Sequence, residues 1–375
     1  MATIKIIHTA DWQLGKPYGR FPQEVRSALS EARLDAIDRI ASAARDTGAG
    51  QVLVAGDVFD NVEPGNRVVV QAMSRMGHAP VTWWLMPGNH DHLRAGGLWS
   101  RVRGLAPPNV RVIDRSEPME LDEGAWLLPA PLEHRRTRED PTALMVGMAT
   151  PPGALRIGLA HGSITDFGAS GESPNQIPPD RARTAGLDYL ALGDWHGFLA
   201  VGDRTAYSGT PEIDRFGRED AGACIEAIVR TTDSPVLTRR STGRYRWLER
   251  RWDFVEADDL AAAIEALRGE GALADVLLAL KLSGTVSLAN RVGITASLEE
   301  QLSLAVRHLE VDAAGLIARP TAEELAEIDV QGALAGAAAV LRERAGAGGP
   351  DGEMAAAALE RLYVEALRFD RGAAQ

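Results

Sequence analysis

The chain has 375 residues, of which 45% are hydrophobic and 25% are charged, and a formal net charge of −12. This length and composition are typical of a globular protein with two or three domains. The acidic balance argues against bulk, non-specific binding of nucleic acid through a basic surface. It does not exclude a phosphate-processing enzyme, because bound metal ions or local arginine clusters can supply positive charge.

The sequence also argues against two other classes of protein. No apolar run approaches the roughly 18 residues that a membrane span needs, so we expect no membrane partner. The N-terminal residues lead directly into a strand and lack the profile of a signal peptide. Cys224 is the only cysteine, which argues against a disulfide framework and indicates a reducing, cytoplasmic setting. We predict that Cys224 is a buried thiol of a strand.

Strands and helices alternate in the first part of the chain. The first predicted helix has an apolar residue at every third or fourth position and ends at Gly48 and Gly50. Three strand–helix steps with continuously apolar strands indicate a parallel sheet. The predicted elements are a strand at 4–8, a helix at 23–47, a strand at 52–55, a helix at 67–76 and a strand at 81–86.

After residue 110 strands dominate, which predicts a second sheet packed on the first. Arginines alternate with aromatic residues at 230–252, and we interpret this stretch as a solvated strand face, with a nucleic-acid-facing patch as the alternative. The loop at 162–180 is long for a compact domain, as functional lids often are. The predicted strands are 110–113, 125–128, 157–160, 189–192, 205–208, 223–229, 236–240 and 245–252.

From about residue 255 the pattern changes to a small α/β unit that is followed by helices. The Gly-rich stretch at 345–352 separates the last two helices. The apolar stripe of the final helix either folds back on the protein or is reserved for a partner. The predicted elements are a helix at 257–268, a strand at 275–282, a helix at 297–307, a strand at 309–313 and helices at 321–344 and 353–369.

Metal-seeking side chains follow five of the predicted strands. Asp11, Asp57 and Asn89 come after the first three strands, and His161 and the segment 194–196 come after two strands of the second half. Ligands of α/β sheets bind beyond the carboxyl ends of the strands, so these loops should converge. Carboxylate, amide oxygen and imidazole are together the ligands that a divalent transition metal prefers.

These residue types predict a two-metal site. Asp57 can bridge the two ions because its carboxylate offers one oxygen to each. Two divalent ions about 3.5–4 Å apart clamp a phosphoryl group and activate a shared water molecule. The other donors then divide into Asp11 and His196 at the first position, and Asn89, His161 and Asp194 at the second.

His90 is the predicted catalytic residue. It follows Asn89 directly and would point elsewhere if Asn89 binds a metal, which suits a general acid or a donor to a phosphoryl oxygen. We expect Asp91 to orient it. His8 is predicted to be a structural residue at the end of its strand, and four glycines (56, 88, 162 and 193) to allow the close approach of the loops.

Each motif alone is also typical of ordinary turns, but their order is specific. The sequence resembles the calcineurin-like metallophosphoesterase superfamily, whose pattern runs D-x-H, G-D-x-x-D, G-N-H-[DE], H and G-H-x-H. The resemblance covers residues 1 to about 250 and is strongest, through residues 8–15 and 54–60, to the SbcD nuclease subunits of break-repair complexes. It implies the α/β fold class: a two-sheet α/β/β/α sandwich at 1–254, a small α/β capping domain at 255–318 and a C-terminal helical segment at 319–375 that docks onto a partner.

The resemblance also implies a function, namely that of an SbcD-like DNA repair exonuclease subunit that hydrolyses phosphodiester bonds. Two divalent ions would be bound, most readily Mn²⁺, with Fe²⁺ or Zn²⁺ as alternatives. The implied partners are DNA and an SbcC-like coiled-coil ATPase subunit, and a homodimer is also open.

Two residues depart from the family pattern. Gln13 stands where the family has a ligating His, and Asp194 replaces the first His of the last motif. Asp is a competent ligand. An amide oxygen is a poorer donor than imidazole to late first-row metals, so the ligation of the first metal by Gln13 is expected to be weak.

Two other functions stay open. A small-molecule or cyclic-nucleotide phosphodiesterase or phosphatase would use the same chemistry, although such an enzyme does not need the long segment after the core. A catalytically weakened binding subunit is kept open by Gln13. Analogy of fold alone does not choose between these substrates.

Overall fold

The computed structural model describes residues 2–165, 173–218, 220–231, 233–254, 259–319 and 333–373. The chain divides into two compact units, residues 1–246 and 247–375. The first unit contains two six-stranded sheets, and the second contains a three-stranded sheet with helices. The expected boundary at 254 therefore lies too late, because the strand at Arg246–Phe254 belongs to the sheet of the second unit.

The first sheet has the order β14-β13-β1-β2-β3-β4. Its strands β1 to β4 are parallel, which was predicted for the first three. The strands predicted at 110–113, 223–229 and 236–240 were expected in the second sheet but belong to this one, where β13 runs antiparallel to both β1 and β14. The strands are β1 (Thr3–Thr9), β2 (Gln51–Val54), β3 (Thr82–Leu85), β4 (Val110–Val112), β13 (Ala223–Arg230) and β14 (Val236–Ser241).

The second sheet has the order β11-β12-β10-β7-β6-β5. Its central strands are parallel, and the outermost strand at each edge is antiparallel to its neighbour. The strands are β5 (Met119–Asp122), β6 (Ala125–Ala130), β7 (Leu155–His161), β10 (Tyr189–Gly193), β11 (Leu199–Val201) and β12 (Thr205–Tyr207). A parallel pair of two-residue strands, β8 (Ser163–Ile164) and β9 (Gln176–Ile177), lies after β7.

Apolar packing joins these sheets into an α/β/β/α sandwich. Ile6 and Leu53 of the first sheet share a buried cluster with Ile157 and Ala191 of the second. The other face of the first sheet packs on helices, and that of the second sheet packs on short helical turns. The helices are α1 (Gln23–Thr47), α2 (Asn66–His78), α3 (Leu98–Leu105), a 3-10 turn (Ala143–Gly147) and α4 (Arg181–Thr184). The predicted fold class is confirmed.

Helix α1 has the predicted bounds because its sequence contains both a periodic apolar face and a stop. Ile37 and Ile40 of that face are fully buried. Gly48 takes the left-handed conformation with φ of 71°, and backbone N–H donation at this cap satisfies the carbonyls of Ala44 and Arg45. A residue with a side chain would be strained there, which is why glycine ends so many helices.

The second unit is built around the sheet β15-β16-β17. The helix expected at 297–307 instead begins at Leu288, where the Ser287 side chain accepts a hydrogen bond from the backbone N–H of Asn290 and thus caps the helix. The elements are β15 (Arg246–Phe254), α5 (Asp259–Gly269), β16 (Val276–Val286), α6 (Leu288–Leu302), β17 (His308–Ala318), α7 (Ala333–Gly346) and α8 (Gly349–Ala373).

Some expectations concern residues outside the described ranges. The middle of the loop predicted at 162–180, residues 166–172, lies outside these ranges, and so does the first part of the helix expected at 321–344, residues 321–332. Among the described residues, no helix is long and apolar enough to cross a membrane.

Candidate metal centre

The predicted ligands lie at the carboxyl ends of strands in both sheets. Asp11, Asp57 and Asn89 follow the parallel strands β1, β2 and β3, while His161 ends β7 and Asp194 follows β10. Because β7 and β10 are parallel neighbours in the second sheet, their ends also lie side by side. The sandwich thus presents both sets of loops along one edge.

The backbone is unusual at four of the predicted ligands. Asp11, Gln13, Asp57 and Asp194 all have positive φ, with values of 55°, 43°, 54° and 105°. Such conformations cost about 1–3 kcal/mol each for residues other than glycine and are concentrated at functional sites. The fold therefore bears a local conformational cost at the positions where the sequence predicts metal ligands.

Two glycines allow the loops to approach each other. A Cβ added to Gly56 would lie 2.3 Å from His161 Nδ1, and one added to Gly88 would lie 2.3 Å from Asp57 Oδ1. Neither position has room for any side chain, so the predicted requirement for glycine at these two positions is confirmed.

Asp11, Asp57 and His161 form the centre of the site. Each offers one ligand atom, and these three atoms lie within 4.8 Å of one another. His161 Nε2 lies 3.5 Å from Asp57 Oδ1 and 3.8 Å from Asp194 Oδ1. The backbone N–H of Asp194 donates to Asp11 Oδ2 at 3.1 Å, which ties the loop after β10 to the loop after β1.

The hydrogen bonds of His161 prepare it to bind a metal. Its Nδ1 lies 2.8 Å from the carbonyl oxygen of Ala55, which only accepts, so Nδ1 bears a proton in either charge state and Nε2 bears the lone pair when the ring is neutral. That Nε2 and Asn89 Oδ1 are buried atoms for which the described residues provide no hydrogen-bond partner. Buried polar atoms without partners are costly, and a divalent ion held by these two residues would satisfy both. The residues therefore fit a metal ion.

The pKa values of the site residues also favour binding of a cation. Burial raises the pKa of Asp11 to about 6. Burial alone would lower the pKa of His161, but the carboxylates of Asp57, Asp11 and Asp194 raise it to about 9. The cluster thus stabilises added positive charge, which a divalent cation provides.

Asp194 is oriented by two neighbours. Asn89 Nδ2 donates to its Oδ1 at 3.0 Å, and Ser163 Oγ donates to its Oδ2 at 2.6 Å. The Asn89 amide therefore turns its oxygen away from Asp194, and that oxygen is the atom without a partner. Ser163 was not singled out from the sequence, since it belongs to no ligand motif.

Gln13 and His196, from the loops after β1 and β10, lie together. Gln13 Nε2 is 3.3 Å from His196 Nε2, and Gln13 Oε1 accepts from Lys16 Nζ at 2.9 Å. His196 Nδ1 lies 3.1 Å from Asp214 Oδ2. The predicted first-position donors are thus brought together, but the Gln13 oxygen is engaged by a lysine.

Asp214 is the main site residue that the sequence did not reveal. It is 6% exposed, and it accepts from Lys16 Nζ at 2.5 Å and pairs with Arg33 at 3.3 Å. Burial alone would raise the pKa of Asp214, but His196, Arg33 and Lys16 hold it well below its usual range. It belongs to no motif, and the Lys16 and Arg33 side chains that surround it come from distant parts of the chain.

His90 faces the centre from its rim. Its Nδ1 lies 2.8 Å from the carbonyl oxygen of Asp60, and its Nε2 lies 3.9 Å from Asp57 Oδ2. Its backbone N–H donates to Asp57 Oδ1 at 2.8 Å. The imidazole is 34% exposed, so Nε2 is within reach of a bound substrate.

The expectation that Asp91 orients His90 is wrong. The Asp91 carboxylate accepts from the backbone N–H groups of Gly88 at 2.7 Å and Phe59 at 3.0 Å. It therefore holds the loops after β2 and β3 together, and the Asp60 carbonyl orients His90 instead. The side chains of adjacent residues diverge, which the motif alone did not show.

The structural predictions for His8 and Cys224 are confirmed. His8 is fully buried, with Nδ1 2.8 Å from the Tyr189 hydroxyl and Nε2 3.1 Å from the Leu192 carbonyl oxygen. Cys224 is a buried free thiol in β13. Neither residue belongs to the ligand cluster.

Comparison with known proteins identifies the first unit. The family model for calcineurin-like phosphoesterase matches residues 4–198. The D subunit of the nuclease SbcCD from Bacillus subtilis is 35% identical over 95 residues, which are 24% of this chain and only 22% of that protein. The DNA double-strand break repair protein Mre11 of Halobacterium salinarum is 26% identical over 294 residues, which are 75% of this chain and 70% of that protein.

Two solved structures show weaker likeness. The protein TT1561 of Thermus thermophilus has a TM-score of 0.40 and 13% identity, over 64% of this chain and 100% of that one. The purple acid phosphatase PPD1 from yellow lupin (Lupinus luteus) seeds has a TM-score of 0.40 and 12% identity, over 64% of this chain and 52% of that one.

Proposed function

This chain belongs to the calcineurin-like phosphoesterase family, and we propose that it is a metal-dependent phosphodiesterase that hydrolyses DNA as an SbcD-like repair nuclease subunit. The observation that carries the proposal is the convergence of Asp11, Asp57 and His161 within 4.8 Å. The names of two relatives, a nuclease subunit and a break-repair protein, support the choice of DNA.

The residues divide into two groups of proposed ligands. When bound, a divalent ion supplies the Lewis acidity that polarises a phosphoryl group and activates water. Mn²⁺ is the proposed ion, with Fe²⁺ or Zn²⁺ as alternatives. The first position has Asp11, Gln13 and His196, the second has Asn89, His161 and Asp194, and Asp57 lies between the two.

His90 is proposed to move the proton at the reacting centre. Because the Asp60 carbonyl holds a proton on Nδ1, neutral His90 has a lone pair at Nε2 and protonated His90 has a donor there. The imidazolium can therefore donate from Nε2 to the leaving oxygen of a phosphodiester. Asp91 supports this step indirectly, by holding Gly88 and Phe59 in place.

Aromatic rings stacked with arginines support a nucleic-acid substrate. Trp195 lies between the proposed ligands Asp194 and His196, is 39% exposed, and has the Arg218 guanidinium 4.1 Å from its ring centroid. Arg239 lies 5.5 Å from the ring of Phe198, two residues after His196. Pairs of this kind provide a face for a base and a charge for a phosphate, which is how single strands are held.

One assay with the purified chain tests the proposal. Linear DNA, a cyclic nucleotide and bis-(p-nitrophenyl) phosphate are each incubated with Mn²⁺ and with EDTA. We expect Mn²⁺-dependent cleavage of DNA and of the small diester. Cleavage of the cyclic nucleotide without cleavage of DNA would identify a small-molecule enzyme, and cleavage of none of the three would identify a weakened binding subunit.

The aromatic residues provide a sharper control for the substrate. Trp195→Ala should weaken the binding of single-stranded DNA by about 1–3 kcal/mol, the contribution of one stacked base, and leave hydrolysis of the small diester within about two-fold. Arg215→Gln, on the same segment as Arg218 and exposed, is the matched control. Equal effects of both variants would remove this support for DNA.

We also propose two partners, DNA and a coiled-coil ATPase subunit, and a cytoplasmic location. The relative from Bacillus subtilis is a subunit of SbcCD, which supports the search for a partner. Co-purification of the full chain with the product of a neighbouring coiled-coil ATPase gene tests it. Elution of the two proteins in separate peaks would contradict the proposed assembly.

A further inference from the structure

Four side chains near the first metal position form a closed ring of hydrogen bonds, here called the Lys16 ring. Lys16 Nζ donates to Gln13 Oε1 at 2.9 Å and to Asp214 Oδ2 at 2.5 Å. Gln13 Nε2 lies 3.3 Å from His196 Nε2, and His196 Nδ1 lies 3.1 Å from Asp214 Oδ2. Lys16, Gln13, His196 and Asp214 therefore each contact two other members.

The ammonium of Lys16 sets the direction of every bond in this ring. An ammonium only donates, so it selects the oxygen of the Gln13 amide and turns the NH₂ group towards His196. His196 Nε2 must then accept, which places its proton on Nδ1 and directs that proton to the Asp214 carboxylate. Arg33, which pairs with Asp214 at 3.3 Å and is 2% exposed, adds a further positive charge beside the Asp214 carboxylate.

The ring engages two of the donor atoms that the first metal position needs, those of Gln13 and His196. The lone pair of His196 Nε2 accepts from Gln13, and the oxygen of Gln13 accepts from a cation. A divalent ion on that same oxygen would lie close to the ammonium, and the two like charges would repel. An ion at the first position therefore has to break the ring.

At the second metal position the donor atoms are not occupied in this way. His161 Nε2 and Asn89 Oδ1 are buried and have no hydrogen-bond partner among the described residues. The other polar atom of each side chain is fixed: Asn89 Nδ2 donates to Asp194, and His161 Nδ1 donates to the Ala55 carbonyl. The donors are therefore oriented in advance, and binding an ion breaks none of these contacts.

We propose that the Lys16 ring closes the first metal position, so that the chain binds one divalent ion tightly, at the second position, and a second ion only when the ring opens. Lys16 is the positioning residue of this ring, and its ammonium supplies part of the positive charge that a first-position ion would bring. The inference rests on the proposed metal-dependent function and specifies how many ions that site holds.

A titration of the metal-free full-length chain with Mn²⁺ tests the proposal, with free Mn²⁺ followed by electron paramagnetic resonance and no DNA present. We expect one tight ion and a second that binds about 100-fold more weakly. Lys16→Met, which keeps the apolar stem and removes the charge, should tighten the second ion by about 10–100-fold, the range typical of groups that orient metal ligands. Lys16→Arg, which keeps the charge, should resemble the wild type.

The matched control is Lys5→Met, which removes the same charge from a lysine that pairs with Glu226 and Thr47. It should leave both affinities unchanged, and retention of the tight ion in Lys16→Met shows that the variant is folded. In the double variant with Gln13→His, the second ion should bind within about ten-fold of the first, because imidazole is the better donor.

Two results would overturn the proposal: two ions of similar affinity in the wild type, or equal effects of Lys16→Met and Lys5→Met on the second ion. Either result leaves DNA hydrolysis to be judged by its own assay. The opposite combination is also distinguishable. If the titration shows one tight ion and a specific response to Lys16→Met, but the DNA assay shows no cleavage, then the ring is upheld and DNA is rejected as the substrate.

Discussion

His90 and Asp57 have side chains only 3.9 Å apart, but their loss should have different effects. His90→Ala should lower turnover by roughly 10²–10⁴-fold, the usual contribution of a general acid, while metal content is retained. Asp57→Ala should remove metal and activity together, because its carboxylate lies close to both Asp11 and His161 and is proposed to serve both metal positions. Metal analysis and turnover of each variant provide the measurement.

The control for this pair is His134→Ala, since His134 is exposed and belongs to no ligand motif. It should behave as the wild type in both measurements. Loss of bound metal in His90→Ala would show that His90 is a ligand, and the proton-transfer role would then be rejected.

His8 should make stability depend on pH. Burial lowers its pKa from 6.5 to about 3, although the bond to the Leu192 carbonyl opposes the shift. The unfolded chain therefore binds the proton first as the pH falls, and the free energy of unfolding should decrease from about pH 6.5 towards pH 3, by at most about 1.4 kcal/mol per pH unit.

Comparison with His8→Gln isolates this effect, because the amide can bond to both Tyr189 and Leu192 but does not titrate in this range. Urea unfolding at pH 7.5, 6 and 5 should show the wild type losing stability faster than the variant. A difference between the two proteins that stays constant over these pH values would show that His8 is not the source.

At the scale of elements, α8 packs within the second unit. Leu359 and Tyr363 are buried with Leu288 of α6 and Ala338 of α7, and Glu360 pairs with Arg291 at 3.2 Å. This favours the folded-back interpretation of the apolar stripe predicted from the sequence. Partner docking, if it uses α8, must therefore use a different face of this helix.

Leu359→Ala should lower the stability of the second unit by about 2–5 kcal/mol through the cavity that it leaves. Met354→Ala on the same helix is the control, since Met354 is 70% exposed. Hydrolysis of the small diester should change in neither variant, because the proposed site residues all belong to the first unit. Equal unfolding midpoints for the two variants would contradict the packing role.

At the scale of the whole molecule, the net charge of −12 should restrict how DNA is bound. Within the basic stretch, Arg240 pairs with Glu226 and Arg250 with Glu270, both at 2.6 Å. Under the proposed function, a few arginines near the site, such as Arg218 and Arg239, would supply the phosphate contacts.

We therefore expect the logarithm of DNA affinity to fall with the logarithm of salt concentration with a shallow slope of about −2 to −3, since each phosphate contact contributes about −0.9. Fluorescence anisotropy of labelled duplex DNA between 50 and 200 mM salt measures this slope. A slope near −6 would indicate an extended basic surface and would contradict this expectation.

The sequence by itself determined the fold class and the candidate ligands. Continuously apolar strands alternating with an amphipathic helix specify a layered sheet, and the ends of parallel strands meet at one edge whatever the lengths of the connections. Asp11, Asp57 and His161 could therefore be chosen as neighbours although they are far apart in the chain. Their convergence needs only strand order and the polarity of the sheet.

Only the tertiary structure decided how the donor atoms are used. Asp214 contacts Lys16 across 198 positions of the chain, and no local pattern marks such a pair. No local pattern shows which sheet β15 joins, because that depends on its hydrogen-bond partner. Nor does the sequence show that the Asp91 carboxylate bonds to the backbone instead of to its neighbour His90. A hydrogen bond depends on distances and angles between individual atoms, and these exist only once distant segments have packed together.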